Sequence, residues 1–434
     1  MRRARNLVAI MVSLVVAGPA VAVLTADAQQ SSAATAVSVG IEHTCALTTT
    51  GGLMCWGDNS EGQLGDGTTT DRVTPVNVAG LTNGVAAVSV GGAHTCALTT
   101  TGGLRCWGSN SEGELGDGTT TNRIMPVNVA GLASGVAAVS AGSSHTCALT
   151  TTGGLRCWGI NSEGQLGDGT TTDRITPVNV AGLTSGVAAV SAGFRHTCAQ
   201  TTTGGLKCWG SNSAGQLGDG TTRDRNTPVN VAGLTSGVAE VSVGGAHTCA
   251  LTTAEGLRCW GVNDRGYLGD GTTFFQRREP VDVVGLTGGV AAVSAGVWHT
   301  CAVTAIGGLG CWGRGTEGWL GDGTTTDNNT PANVIGFLGV VAVLTPTPIP
   351  TPTPLGVPTA PTPSPTPGAT TTPPPTSTPT PTQSPKPTVT FGPPISSGGN
   401  GFPTEVIVVI ISTAVAVITA FLGYRGIRTA RRHP

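Results

Sequence analysis

Residues 85–119 read VAAVSVGGAHTCALTTTGGLRCWGSNSEGELGDGT, and a closing segment PVNVAGL follows at residues 126–132. The same unit occurs six times along the 434-residue chain. Its first cysteine recurs with four spacings of 51 residues and a last spacing of 52, at Cys45, Cys96, Cys147, Cys198, Cys249 and Cys301. Self-similarity at such a period is typical of a repeat architecture, in which each unit forms one supersecondary element.

The unit favours strands over helices. No stretch of it places apolar residues at helical spacing over three turns, whereas short runs bounded by Gly, Asn, Asp and Pro suit four strands. These runs lie before His94, at Cys96–Thr99, around Cys106 and at Val127–Val129. Four short strands in about fifty residues predict one blade of an all-β propeller. Because a single blade cannot bury both of its faces, we expect the blades to stack into a ring that closes.

The motifs His94-Thr95-Cys96-Ala97-Leu98, Cys106-Trp107-Gly108, Gly-x-Leu-Gly-Asp-Gly-Thr at 113–119 and the trailing Pro126-Val127 resemble RCC1 repeats, in the form common in exported bacterial proteins. The resemblance covers roughly residues 35–345 and implies a β-propeller, commonly of seven blades. The founding member of that family is a nucleotide exchange factor for a nuclear GTPase. An exported chain has no access to such a partner, so that activity is not expected here.

The number of blades stays open between six and seven. The sequence contains six full units, and residues 331–344 begin another, since Val340-Val341-Ala342-Val343 mirrors the opening strand. No His-Thr-Cys follows that segment. We therefore expect either six blades with a terminal strand closing the ring, or a seventh blade assembled from both chain ends.

The cysteines predict one disulfide in every blade. All 12 fall into pairs with nine residues between the partners, and none is left over. An even count in an exported chain indicates disulfides, and an odd-length hairpin loop sets the two cysteines opposite each other across the strand pair. The predicted bridges are Cys45–Cys55, Cys96–Cys106, Cys147–Cys157, Cys198–Cys208, Cys249–Cys259 and Cys301–Cys311. Zinc is the weaker alternative, because the ligand spacings of finger-like sites are missing.

Three further residue types recur once per unit. The histidine two positions before the first cysteine, as in His94, is expected to form a hydrogen bond within its own blade. The aspartate of the Gly-Asp-Gly loop, as in Asp117, is expected to shape a turn rather than bind calcium, because the loop lacks the alternating acidic ligands of a calcium site. The tryptophan after the second cysteine, as in Trp107, is expected to pack between blades rather than form a sugar platform.

Both chain ends carry membrane signals. Residues 1–28 combine a basic start, an apolar run and small-residue cleavage sites, which predicts a secretory signal peptide, with an uncleaved anchor as the alternative. The propeller is assigned to residues 29–345, and the proline- and threonine-rich residues 346–402 predict a disordered stalk. Residues 403–424 predict one transmembrane helix, and the arginine-rich tail 425–434 predicts a cytoplasmic C-terminus. The expected location is thus the cell membrane, single-pass, with the propeller outside.

Composition excludes several functional classes. Charged residues make up 11% of the chain and the formal net charge is −2, which disfavours nucleic acid as a partner. No phosphate loop, nucleophile signature or paired-carboxylate motif stands apart from the repeat. A residue copied into every blade seldom provides a unique catalytic constellation, so the chain is not expected to be an enzyme, and neither cofactor nor metal is expected.

The informative positions are those at which the six copies differ. The residue pair before each His-Thr-Cys varies, the fifth unit contains an aromatic and basic insertion, and the sixth unit has a tryptophan where other copies have Gln, Glu or Tyr. Aromatic and arginine side chains are typical interface anchors. The predicted partner-binding residues are Phe194, Arg195, Phe274, Phe275, Arg277, Trp298 and Trp319. We expect an adhesion or binding module for an extracellular protein or glycan; the alternative is a regulator of an extracellular enzyme, and a propeller-type lyase or hydrolase is less favoured.

Overall fold

The computed structural model describes residues 33–340 as six four-stranded antiparallel sheets. Each sheet is one blade built from one contiguous repeat, with its strands hydrogen-bonded in chain order. The strands are β1 Ala34–Val39, β2 His43–Thr48, β3 Leu53–Gly57, β4 Arg72–Asn77 (blade 1); β5 Val85–Val90, β6 His94–Thr99, β7 Leu104–Gly108, β8 Arg123–Asn128 (blade 2); β9 Val136–Ala141, β10 His145–Thr150, β11 Leu155–Gly159, β12 Arg174–Asn179 (blade 3); β13 Val187–Ala192, β14 His196–Thr201, β15 Leu206–Gly210, β16 Arg225–Asn230 (blade 4); β17 Val238–Val243, β18 His247–Thr252, β19 Leu257–Val262, β20 Gln276–Asp282 (blade 5); β21 Val290–Ala295, β22 His299–Thr304, β23 Leu309–Gly313, β24 Asn328–Asn333 (blade 6).

The predicted all-β propeller is confirmed, with six complete blades in the described residues. One short 3₁₀ helix, Thr316–Gly318, interrupts the last loop. No helix within residues 33–340 has the length and apolar character needed to cross a membrane. The predicted signal peptide, the stalk, the transmembrane helix, the basic tail and the whole segment after Val340 lie outside the described residues.

All six predicted disulfides are present. In every blade the two cysteines are directly opposite each other in the pairing of the second and third strands, as for Cys147 and Cys157. Their Cα atoms are 4.1 Å apart in each blade, and the described residues contain no free cysteine. The hairpin symmetry seen in the sequence therefore gives the correct register.

The core lies between blades rather than at one centre. Each of five apolar clusters combines the two cysteines and the leucines of one blade with an alanine and a tryptophan of the next, as blade 1 does with Ala97 and Trp107. At this junction, the indole Nε1 of Trp107 donates to the carbonyl oxygen of Gln63 at 2.9 Å. The predicted packing of the tryptophan between blades is confirmed for the five from Trp107 to Trp312, which are fully buried.

The histidines also join neighbouring blades, so the expectation of a bond within the blade is wrong. His43 Nε2 lies 2.8 Å from Thr95 Oγ1, and the Thr95 hydroxyl donates to the carbonyl oxygen of Gln63 at 2.9 Å. The backbone N–H of Val90 donates to Ser38 Oγ at 3.0 Å. Together with the tryptophan bond, this set of four recurs at all five junctions from blade 1 to blade 6.

The junction between blade 6 and blade 1 does not form within residues 33–340. No hydrogen bond in this part of the chain joins His299 to Thr44, or Trp56 to the carbonyl oxygen of Trp319. Trp56 and Thr44 are half-buried, whereas their equivalents Trp107 and Thr95 are fully buried. The apolar cluster of blade 6 contains no residue of blade 1. The expected closure of the ring is thus not made by the described residues, which form an arc with two unpaired blade faces.

Candidate functional site: the upper rim and the channel

The antiparallel order of each blade divides its connections between two rims. The turns between first and second strands, such as residues 40–42, lie at the same end as the loops between third and fourth strands, such as residues 58–71. A hydrogen bond from the N–H of Asp58 to the carbonyl oxygen of Glu42 joins the two connections in blade 1. We call this end the upper rim and the other end the lower rim. All seven predicted partner-binding residues lie on the upper rim or at its border.

The upper-rim loops of blades 1 to 5 share one framework of side-chain hydrogen bonds and ion pairs. In blade 6, Gly315 and Asn328 stand in place of its asparagine and its arginine. In blade 1, Asn59 Oδ1 accepts from the N–H of Leu64 at 2.9 Å, and its amide donates to Asp66 and to the carbonyl oxygens of Thr68 and Thr70. Asp66 Oδ2 accepts from Arg72 Nε at 2.9 Å and from Arg72 Nη2 at 2.7 Å. Both guanidinium N–H groups thus donate to one carboxylate oxygen, and such charge-assisted hydrogen bonds are stronger than those between neutral groups.

The predicted turn role of the repeated aspartates is confirmed by this framework. Asp66 Oδ1 accepts from the N–H and the hydroxyl of Thr68, and its neighbours Gly65 and Gly67 have φ values of +67° and +86°. Burial raises the pKa of Asp66, but the hydrogen bonds from Thr68 and Arg72 outweigh it and hold the pKa below its ordinary value. The carboxylate is therefore ionised and occupied by its own loop. Within residues 33–340 no cluster of His, Cys, Asp and Glu is arranged to hold a metal ion.

Phe194 and Arg195 form the upper-rim turn of blade 4 at the mouth of the channel. Phe194 is 38% exposed, and the Arg195 guanidinium lies 5.7 Å from the centre of its ring. Arg195 Nη1 also contacts Glu163 Oε1 of blade 3 at 3.4 Å. The pair thus presents an apolar face and a cation side by side, held by one exposed salt bridge that contributes little stability.

Phe274 and Phe275 extend from the upper-rim loop of blade 5, where one additional residue accounts for the 52-residue spacing. Both side chains are 64% exposed. Arg277 is also the framework arginine of this blade, because its Nε donates to Asp270 Oδ2 at 2.8 Å. Its guanidinium lies 5.1 Å from the centre of the Phe274 ring and so also supports that aromatic side chain.

Trp298 and Trp319 come together on blade 6 around an arginine that the sequence reasoning missed. The Arg314 guanidinium lies 5.7 Å from the Trp298 ring and 5.0 Å from the Trp319 ring. The His299 ring lies 6.2 Å from that of Trp319. The sequence does distinguish Arg314 from the other copies, because Asp58 occupies its position in blade 1 and small or apolar residues occupy it in blades 2 to 5. The cluster belongs to the unpaired face of blade 6.

The six inner strands surround one cavity of about 560 Å³. Small residues of the inner strands and their turns, such as Gly91, Gly142 and Ala192, contribute most of its lining. Phe194, Trp298 and Trp319 also line it, which places three of the predicted residues at one opening. Phe274 and Phe275 do not line the cavity and stay at the outer edge of the rim.

The histidines of the five formed junctions are neutral structural groups. Because each neighbouring threonine hydroxyl donates to a carbonyl, the imidazole Nε2 must carry the proton that bonds to that hydroxyl. The Nδ1 atoms of these histidines are buried without a hydrogen-bond partner. Burial lowers the pKa of His145 to about 4, and burial together with the neighbouring histidines lowers the pKa of His94 to about 3. A charged imidazole is thus strongly disfavoured at the junctions.

Comparisons with known proteins agree with this architecture. A family model described as RCC1-like domain matches residues 15–345. The ultraviolet-B receptor UVR8 of Arabidopsis thaliana is 35% identical over 306 residues, which are 68% of this chain and 68% of that protein. The human E3 ubiquitin-protein ligase HERC2 is 34% identical over 313 residues, 70% of this chain but only 6% of that protein.

Among solved structures, human WBSCR16 superimposes with a TM-score of 0.63 at 25% identity, covering 70% of this chain and 82% of that one. The match to the RCC1-like model spans well over half of the chain, and the repeated blades, disulfides and junctions described above lie within it. The chain belongs to the RCC1-like family.

Proposed function

We propose that the protein is a membrane-anchored extracellular binding module, which presents its upper rim to a protein or glycan partner. The observation that carries this proposal is the division of the repeats into a constant frame and a variable rim. The junction contacts recur at the five formed junctions and the loop framework recurs in blades 1 to 5, whereas Phe194, Phe274, Phe275 and Trp298 have no aromatic equivalent in the other blades and extend from one rim.

Family membership supports the binding role, because an RCC1-like propeller is a protein-binding or regulatory module. The extracellular and membrane-anchored part is supported by residues 1–28 and 403–424, whose sequences have the composition of a signal peptide and of a spanning helix. The disulfide in every blade also supports an oxidising environment, since such bonds rarely persist in the cytosol.

The exposed side chains of the upper rim suit recognition through apolar and hydrogen-bonding contacts rather than through long-range attraction by net charge. Exposed Phe and Trp side chains supply large rigid surfaces, and Arg195 and Arg314 supply donors next to them. Aromatic and arginine side chains carry a large share of the energy in many protein interfaces. The same aromatic rings also present the apolar faces on which a sugar ring can stack.

A matched pair of variants tests the rim. The purified full-length protein would be used as bait against the host's own surface proteins and polysaccharides, and any ligand recovered in stoichiometric amount would then be titrated. We expect the affinity for that ligand to fall at least ten-fold in a variant that combines Phe194→Ala, Phe274→Ala, Phe275→Ala and Trp298→Ala. Ile306→Ala with Phe337→Ala, two comparably exposed residues of the lower rim, should leave affinity unchanged. Equal affinities for both variants would show that the upper rim is the wrong face.

The proposed topology has its own test. Protease added to intact cells should remove the propeller and leave the C-terminal tail protected inside. A propeller that is degraded only after the membrane is permeabilised would place it inside the cell and contradict the proposal.

A further inference from the structure

The lower-rim connection between blades 1 and 2 contains Asn83-Gly84, the one Asn-Gly step within residues 33–340. Gly84 has a φ value of +72°. The equivalent glycines of the next three connections have φ values between +73° and +77°: Gly135, Gly186 and Gly237. Serine precedes each of these three glycines in the sequence. The backbone of the connection is thus constant, whereas the asparagine is specific to the first copy.

The Asn83 side chain and the Gly84 nitrogen are both free to react with each other. Asn83 is exposed, and its side chain makes no hydrogen bond within residues 33–340. The N–H of Gly84 has no acceptor in the same part of the chain. Glycine also has no Cβ atom that would shield this nitrogen. Attack of a backbone nitrogen on the preceding asparagine side chain requires these conditions.

The asparagines that precede serine do not meet these conditions. There are four of them, one in each upper-rim loop of blades 1 to 4, and all are fully buried: Asn59, Asn110, Asn161 and Asn212. The Asn59 amide donates to the carbonyl oxygens of Thr68 and Thr70, and its Oδ1 accepts from the N–H of Leu64 at 2.9 Å. Oδ1 of the other three is bound in the same way. Cyclisation there would first have to break the loop framework.

The Asp-Gly steps of the framework are protected at both reacting groups. The Asp66 carboxylate is ionised in its ion pair with Arg72, and an ionised carboxylate resists attack by an amide nitrogen. The N–H of Gly67 donates to the carbonyl oxygen of Ile124 in the next blade at 3.0 Å, so the nitrogen is occupied as well. The same backbone bond recurs in blades 2 to 5, with these donors: Gly118, Gly169, Gly220 and Gly271.

We propose that Asn83 is a site of spontaneous covalent modification in the folded protein. The nitrogen of Gly84 attacks Cγ of Asn83, a succinimide ring closes through the new C–N bond, and the Cγ–Nδ2 bond breaks. The proton of the Gly84 N–H leaves with the amide group as ammonia. Water then opens the ring at Cγ to give aspartate, or at the main-chain carbonyl carbon to give isoaspartate. This inference does not depend on the identity of the rim ligand.

Each product changes the lower rim. Either one adds a negative charge, and Glu255 is the only charged residue in the lower-rim connections within residues 33–340. Isoaspartate also lengthens the main chain by one methylene group. The connection has no slack for it, because the N–H of Val85 donates to the carbonyl oxygen of Gly51 at 2.9 Å and the N–H of Thr100 donates to that of Gly84 at 2.9 Å. We therefore expect isoaspartate to loosen the contact between the hairpin of blade 1 and blade 2.

Peptide mass spectrometry tests the reaction. The purified full-length protein would be incubated under native conditions at physiological temperature for several weeks, then reduced and digested with trypsin. The peptide of residues 73–105 contains both Asn77 and Asn83. We expect a mass gain of one dalton at Asn83, with isoaspartate identified by fragmentation and Asn77 unchanged. The rate should rise with pH, because the attacking nitrogen must lose its proton. No conversion at Asn83, equal conversion at Asn77, or conversion only in protein unfolded by urea would overturn the proposal.

Asn83→Ser is the matched control, since it introduces the residue that blades 2, 3 and 4 carry at this position. The fresh variant should melt at the same temperature as the fresh parent. The isoaspartate form of the parent, separated by anion exchange, should melt roughly 2–3 °C lower, because two backbone hydrogen bonds are strained. Asn83→Ser should keep its melting temperature through the same incubation. An unchanged melting temperature of the isoaspartate form, or equal losses in both proteins, would refute the loosening of blade 1.

Discussion

The buried histidines predict that the propeller loses stability in mild acid. Burial lowers the pKa of His145 to about 4, from the ordinary value of 6.5 for an exposed imidazole. The unfolded chain therefore binds a proton at His145 that the folded chain excludes, so the contribution of this group is fully present above the unfolded pKa and is lost as the pH falls below it. Between about pH 7.5 and about pH 5.5, the loss is roughly 1.3 kcal/mol for this one residue.

The same reasoning applies to the other four junctions. The pKa of His43 is lowered to about 4, and the pKa values of His94, His196 and His247 are lowered to about 3. Five such groups together give a loss of roughly 7 kcal/mol over that pH interval, which is comparable to the whole stability of many domains. Glu240 acts in the opposite direction, because burial raises its pKa to about 7 and its contribution improves as it becomes protonated.

A single replacement isolates the effect from Glu240 and all other groups. His145→Gln keeps an amide N–H for the Thr197 hydroxyl but does not titrate. Urea unfolding with intact disulfides would be followed by tryptophan fluorescence at both pH values. We expect the stability difference between the parent and His145→Gln to shrink by about 1 kcal/mol on acidification. A difference that stays constant with pH would refute the view that His145 is neutral in the folded protein.

Three further predictions concern packing and covalent structure. Trp158→Phe removes the hydrogen bond to the carbonyl oxygen of Glu114 and should cost about 1–2 kcal/mol in urea unfolding, whereas Trp56→Phe at the open junction should cost less than about 0.5 kcal/mol. Replacement of Cys147 and Cys157 by serine opens a bridge between residues ten apart and should cost roughly 2–3 kcal/mol, measured against the parent under oxidising conditions; a cost near zero would mean that the bridge does not form in solution. Glu240→Ala introduces the residue present at this position in the other blades and should raise the melting temperature above neutral pH but not near pH 4, where the carboxyl is protonated. A lower melting temperature at neutral pH would contradict the destabilising effect of this half-buried carboxylate.

Local features of the repeat could be predicted from the sequence because each depends on residues close together in the chain. The symmetry of the hairpin around Thr152 is enough to place Cys147 opposite Cys157. The Asp-Gly-Thr loop likewise determines its own hydrogen bonds, as Asp66 shows. The histidine bond was predicted wrongly because its partner, a threonine 52 residues away, is one of many threonines in the repeat, and the spacing alone does not select it.

The lack of a junction between blades 6 and 1 within residues 33–340 could not be predicted, because no residue in the repeat encodes it. Blades 1 and 6 carry Trp56 and His299 like every other copy, so the sequence implies a sixth junction that the described residues do not make. Whether two end blades meet depends on the rotation between neighbouring blades, which is set by packing over five junctions together. Arg314 was missed for a related reason: its partners Trp298 and Trp319 lie on two different connections of blade 6, and only the folded blade brings them around it.

The one-repeat, one-blade arrangement also bears on how the protein can fold as it is synthesised. Every described strand pairs only within its own sheet, and the junction hydrogen bonds of His43, His94, His145 and His196 each reach 52 residues along the chain. A blade can therefore form and dock on its predecessor as soon as its own repeat has emerged, without waiting for a strand from the distant end of the chain. Chain elongation at about 5–20 residues per second gives each repeat several seconds to do so before the next is complete. Such a protein can gain or lose whole repeats in evolution without a change in the strand order of the remaining blades. A longer or shorter array still ends in the same two kinds of blade face.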